Sequence, residues 1–138
     1  MFEYIKTLQS NNLKFYPVEV SEISEAEKRM GFEFPVSLKI FYTEIGYGFF
    51  LGDKNFINRL MPPSDIADYV CGEDIYEYVD KSFYGENEFV FLHISGEDFL
   101  TVVYKGENKG AVLYFGDKIA DTFEEFVKKM IDIPNYYI

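Results

Sequence analysis

The sequence predicts an α+β domain spanning residues 1–138: short N-terminal helices, a central mostly antiparallel sheet, and a C-terminal helix packed on that sheet. Three observations carry this prediction. Apolar residues in the first third recur three and four apart, the period of one helix face. Between residues 48 and 115 they fall instead into short runs bounded by Gly, Asn, Asp and Ser, the punctuation of strands and turns. The links between those runs are too short for parallel crossovers, so neighbouring strands run antiparallel. Helices, then hairpin-linked strands, then a helix is an α+β order and not a doubly wound one.

The elements follow in turn. Phe2, Ile5 and Leu8 predict a short amphipathic helix over residues 1–10, ended by Asn11-Asn12. Ser21 is the expected N-cap of a second helix carrying Ile23, Ala26 and Met30 on one face. Gly31 stands just past its end, where a left-handed φ is needed. Pro35 opens a third helix with Leu38, Phe41, Tyr42 and Ile45 inward and Gly46 as its stop. Residues 48–52 and 56–60 read as strands around a turn at 53–55, and Pro62-Pro63 starts a helical turn with Ile66, Tyr69 and Val70 inward.

Residues 71–88 have two readings: a helical face of Ile75, Tyr78 and Val79, or an acid-rich loop. Residues 89–94 and 99–104 form a hairpin through Ser95-Gly96-Glu97-Asp98, and a second turn at 106–110 leads into a strand over 111–115. The final helix is marked by a stripe of Phe123, Phe126, Val127, Met130 and Ile131. Asp121 with Glu124, or Thr122 with Glu125, supplies a capping box; Lys128 and Lys129 complement the helix dipole, and Pro134 ends the element. Tyr136 and Tyr137 beyond it either form a self-association patch or pack back onto the domain.

Charge narrows the function. The chain has 24 acids against 13 bases, net −11, a surface that repels phosphates and anionic head groups, so neither nucleic acid nor membrane is an expected partner. One cysteine, Cys71, excludes an intramolecular disulfide framework and a thiolate metal cage. The N-terminus does not read as a signal peptide, and no run approaches the length of a membrane span, so a cytoplasmic location is expected.

The acids are unevenly placed. Residues 1–70 carry 10 acids and 7 bases (net −3), whereas residues 71–138 carry 14 and 6 (net −8). Between residues 73 and 98 lie Glu73, Asp74, Glu77, Asp80, Glu86, Glu88, Glu97 and Asp98 with the single base Lys81, interleaved with Tyr76, Tyr78, Phe83 and Tyr84. Acids mixed with tyrosines suit a protein-binding surface, because aromatic anchors supply contact area while charge guides encounter. The eight acids with Tyr76, Tyr78 and Tyr84 are the expected partner-binding residues.

No motif for catalysis rises beside this. His93 sits alone in an apolar strand, and a hydrogen-bonded strand histidine is the expectation. Cys71 has Glu73 and Asp74 nearby, which raise a thiol pKa and blunt a nucleophile. The run Gly46-Tyr47-Gly48-Phe49-Phe50-Leu51-Gly52 misses dinucleotide-loop spacing and follows a predicted helix where a strand is required. Asp53, Asn55 and Asn58 lack the glycine and bidentate Glu of a calcium loop. The carboxylate pairs Glu73/Asp74, Glu86/Glu88, Glu97/Asp98 and Glu124/Glu125 show no difference of environment that would split their pKa values. No catalytic residue, cofactor or metal is expected.

The run Ile23-x3-Glu27-x2-Met30-Gly31-x2-Phe34-Pro35-x2-Leu38-x2-Phe41-Tyr42-x2-Ile45-Gly46 resembles the signature of the SUKH superfamily, the group typified by the yeast cell-wall-synthesis regulator of the Smi/Knr type. Residues 58–66, Asn-Arg-Leu-Met-Pro-Pro-Ser-Asp-Ile, are similar to its strand-then-short-helix segment. Ile119-Ala120-Asp121-Thr122-Phe123-Glu124-Glu125-Phe126 resembles its closing motif. Ile45 stands where that family often has Asn, and residues 71–88 match none of its pattern. The resemblance implies a non-enzymatic immunity protein that binds and neutralises a cognate polymorphic toxin, often a nuclease and therefore basic. Its alternative implication is a regulatory protein-binding scaffold like the yeast relatives. Both are inferences from fold, and one fold hosts several functions.

Overall fold

A computed structural model describes residues 1–8, 11–52, 54–77 and 79–138. Seven strands form one sheet in chain order: β1 (Leu13–Tyr16), β2 (Tyr47–Phe50), β3 (Arg59–Leu60), β4 (Glu88–Ser95), β5 (Asp98–Val103), β6 (Val112–Tyr114) and β7 (Asp117–Ala120). Every neighbouring pair is antiparallel; short turns impose this on β4–β5, β5–β6 and β6–β7, whereas β1–β2 and β3–β4 are antiparallel across connections of about thirty residues that carry helices. Helices α1 (Val20–Met30) and α2 (Val36–Glu44) lie between β1 and β2. Helix α3 (Pro63–Cys71) follows β3, and α4 (Phe123–Asp132) closes the order. Among the described residues no helix is long and apolar enough to cross a membrane.

Local chemistry explains most boundaries. Gly31 ends α1 at φ 85°, its amide donating to Glu27 O, as expected of that glycine. The start of α1 differs from expectation: Glu19, not Ser21, is the N-cap. Its carboxylate accepts from the Glu22 amide while the Glu22 side chain accepts from the Glu19 amide at 2.8 Å. Thr122 caps α4 by accepting from the Glu125 amide, and the Glu125 carboxylate reaches back to the Asp121 amide. Thr122 is therefore the N-cap, but the returning bond goes to the residue before the cap and the reciprocal bond of a capping box is not the one made.

Three expectations are corrected. The first segment is a 3₁₀ turn, Glu3–Thr7, that buries Phe2 and Ile5 but leaves Leu8 exposed. The strand expected over residues 56–60 shrinks to Arg59–Leu60, because Asn58 adopts a left-handed φ of 46° and breaks the ladder. Strands β1 and β7 were not expected at all. β1 pairs Phe15 with Gly48, and Gly48 is required there: a Cβ on it would meet Lys14 O at 2.1 Å. Gly46, at φ 123°, lies still closer to Tyr16 O.

The core is aromatic. Phe2, Phe41 and Phe123 meet edge to face at 5.0–6.0 Å, and Phe91 of β4 packs on Phe123 and Phe126 of α4 at 5.8 and 5.4 Å. Phe91 is the extra residue of a β-bulge, since Val90 faces Thr101 while Leu92 faces Leu100. The tail packs back on the domain. Tyr136 donates to Ile119 O at 2.7 Å, and Asn135 and the fully buried Asn58 exchange side-chain hydrogen bonds of 2.7 and 2.9 Å. Asn58 is thereby committed to structure and is no calcium ligand; Asp53 lies outside the described residues.

Candidate protein-binding face

Residues 73–87 cross from the end of α3 to the start of β4. They do so as two single 3₁₀ turns, Asp74–Tyr76 and Lys81–Phe83. A helix over this segment would need to bury a stripe, and its acids leave too few apolar residues for one. The loop reading therefore holds, and Ile75, expected inward on a helical face, is 77% exposed. Asp80 caps the second turn by accepting from the Ser82 amide at 2.9 Å. The Ser82 hydroxyl and amide together hold the Asp80 carboxyl below the usual carboxylate range.

The segment is pinned to the fold by its aromatic residues. Tyr76 packs its ring on Tyr69 of α3 at 5.2 Å, and Tyr84 lies parallel to Phe115 at 6.1 Å. Both tyrosines are half-buried. Burial raises both hydroxyl pKa values, with Asp98 adding to the effect at Tyr84 and Asp65 at Tyr76. Lys81, the segment's base, is drawn inward: its Nζ donates to Val70 O at 2.7 Å and lies 5.7 Å from the Tyr69 ring centre.

The acids remain outside. Glu73, Asp74, Glu77, Asp80, Glu86, Glu97 and Asp98 are exposed, and Glu88 is half-buried. Glu73 lies 3.3 Å from Arg29, whose nearer partner is Asp68 at 2.5 Å, which ties the start of the segment to α1. Asp98 opens β5, and its charge helps raise the Tyr84 hydroxyl pKa. Glu97 sits at the tip of the β4–β5 turn. Tyr78 lies outside the described residues. Two exposed apolar side chains, Ile75 and Phe83, were not among the expected binding residues: Ile75 was read as inward and Phe83 only as one of the interleaved aromatics. The latter is 68% exposed. Their signal was an apolar residue inside an acid run, where solubility alone gives no reason for one.

Under the segment is a cavity of about 180 Å³. Phe32, Tyr69, Val70, Phe89 and Tyr104 wall it, and Tyr84, Glu86, Glu88 and Lys81 form its mouth. The Glu88 carboxylate is oriented by Thr101, whose buried hydroxyl donates to it at 3.0 Å. The Tyr69 hydroxyl is buried without a hydrogen-bond partner among the described residues, and burial raises its pKa strongly.

Candidate nucleophiles and ligands are occupied elsewhere. His93 donates from Nε2 to Gly96 O at 2.7 Å and stacks on Phe99 at 4.8 Å, a hydrogen-bonded strand histidine. Cys71 is exposed, its thiol donating to Arg29 O at 3.5 Å. Among the described residues no three His, Cys, Asp or Glu side chains converge as a metal would require. What the face offers is charge and aromatic area.

Comparison with known proteins agrees with the motif resemblance. Residues 17–129 match the SMI1/KNR4 family (SUKH-1). The chain is 32% identical to "Immunity protein YxxD" of Bacillus subtilis (strain 168) over 141 aligned positions, which cover 99% of this chain and 95% of that protein. No solved structure gives a significant match. With a family match across most of its length and a relative aligned almost end to end, the chain belongs to the SMI1/KNR4 (SUKH-1) family.

Proposed function

We propose that this protein is an immunity protein that neutralises a cognate bacterial toxin by binding it, without making or breaking bonds. The observation that carries the reading is the near end-to-end similarity to an immunity protein of Bacillus subtilis. The 73–98 segment supplies the physical means. Its acids present one sign of charge around two exposed apolar side chains, Ile75 and Phe83. A toxin with a basic surface, such as a nuclease needs to hold phosphates, is drawn to that face before it docks.

The test is co-expression with a candidate toxin, sought among the products of the neighbouring genes. The protein restores growth, and the two purify as a complex. Steering by charge raises association from roughly 10⁵–10⁶ toward 10⁸ M⁻¹s⁻¹ at low salt, so the rate falls steeply as ionic strength rises. A rate that is flat with salt removes the acidic face from the account. Failure to restore growth removes the immunity role.

A further inference from the structure

We infer that the cavity beneath the 73–88 segment receives an arginine side chain of a basic protein partner. This rests on the immunity reading and names what one part of the face recognises. Phe32, Phe89 and Tyr104 pack on one another, Phe32 stacked on Tyr104 at 4.0 Å, and give an apolar wall for the stem of an arginine, whose guanidinium is weakly hydrated. Two carboxylates, Glu86 and Glu88, stand at the mouth. Thr101 holds one Glu88 oxygen at 3.0 Å, which orients the carboxylate for charge-assisted hydrogen bonds from a forked donor.

Charge selects a cation over an anion. Lys81 is the cation at the mouth, and its ammonium is already engaged by Val70 O and the Tyr69 ring. Against Glu86 and Glu88 it leaves the lining at net −1, with Lys105 5.6 Å from the Tyr104 ring as the neighbouring cation. A volume of about 180 Å³ admits one long side chain.

N-acetyl-arginine amide is the probe, titrated into the full chain and followed by NMR of the aromatic resonances. Saturable shifts of Phe32, Tyr84 and Tyr104 are expected, with little response to the uncharged isostere N-acetyl-citrulline amide. The double variant Glu86→Gln/Glu88→Gln weakens binding by about tenfold or more, as loss of charge-assisted hydrogen bonds requires. Glu88→Gln retains an oxygen for Thr101, and Glu25→Gln/Glu107→Gln, on exposed sites elsewhere, controls for net charge. Lys81→Met tightens binding by removing a repulsion; an anionic ligand would instead be weakened by that change. Equal binding of citrulline, indifference to the paired Gln variant, or weakening by Lys81→Met each overturns the assignment. A chain that neutralises the toxin but ignores arginine loses only this inference. One that binds arginine yet fails to neutralise loses the immunity reading instead.

Discussion

Replacing Asn58 by Ala tests whether the buried amide pair holds the C-terminal tail to the sheet. Asn58 is fully buried and its side chain makes three hydrogen bonds: to Phe50 O at 3.1 Å, to Asn135 Oδ1 at 2.7 Å, and from Asn135 Nδ2 at 2.9 Å. At a net contribution of about 1 kcal/mol each, their loss amounts to about 3 kcal/mol. The left-handed φ of 46° adds about 1 kcal/mol for a residue with a Cβ and no local polar group. The expected destabilisation is therefore about 4 kcal/mol, measured by urea unfolding with an unchanged m-value. Asn58→Gly removes the same hydrogen bonds without the backbone strain and should recover about 1 kcal/mol of the loss. In a double-mutant cycle, Asn58→Ala and Asn135→Ala couple by about 1–2 kcal/mol, because they share two bonds. A loss below about 1 kcal/mol, or strict additivity of the two changes, refutes the reasoning.

Tyr69→Phe should leave stability unchanged or raise it by about 1 kcal/mol in the same assay, since it removes a buried hydroxyl that has no partner. Burial pushes Tyr136 up to about 12 and raises Tyr42, Tyr69 and Tyr137 as well. A tyrosine whose folded pKa exceeds its unfolded value of about 10 contributes stability that is full below that pH and lost as pH rises through the folded pKa. Unfolding free energy should thus fall from about pH 10 upward, and Tyr136→Phe should make the fall shallower. Gly48→Ala, whose Cβ would lie 2.1 Å from Lys14 O, should lose more than about 4 kcal/mol. Gly31→Ala meets nothing within 4 Å and should lose only about 1–2 kcal/mol for its left-handed φ, as thermal unfolding of the two variants will show.

The elements legible in the sequence are those whose signals are local. Gly31, Pro35, Pro62-Pro63 and the Thr122 cap each mark a helix end within a few residues, and α1 to α4 appear where they point. The hairpin of β4 and β5 was equally plain, its runs and turn lying within 16 residues. β1 is four residues long and its partner, β2, is about thirty residues away, so its pairing is a tertiary event with no local mark. β7 was hidden by its turn, in which Phe115, not a glycine or asparagine, adopts φ 47° ahead of Gly116. The acidic face was visible as composition. The cavity was not, because Phe32, Tyr69, Glu88 and Tyr104 come from four separate places in the chain.

In this sheet every strand is bonded only to the strands before and after it in the chain. The 73–87 segment joins α3 to β4 and adds no strand of its own, although Asn87 at its end accepts from the Tyr104 amide at 2.9 Å. Changes at its exposed positions should leave the facing pairs Leu60–Leu92 and Val90–Thr101 in place, whereas changes at Tyr76, Lys81 or Tyr84 remove contacts to α3 and Phe115. A connection of this kind tolerates variation at its exposed positions while the ladder and the aromatic residues that anchor it are kept.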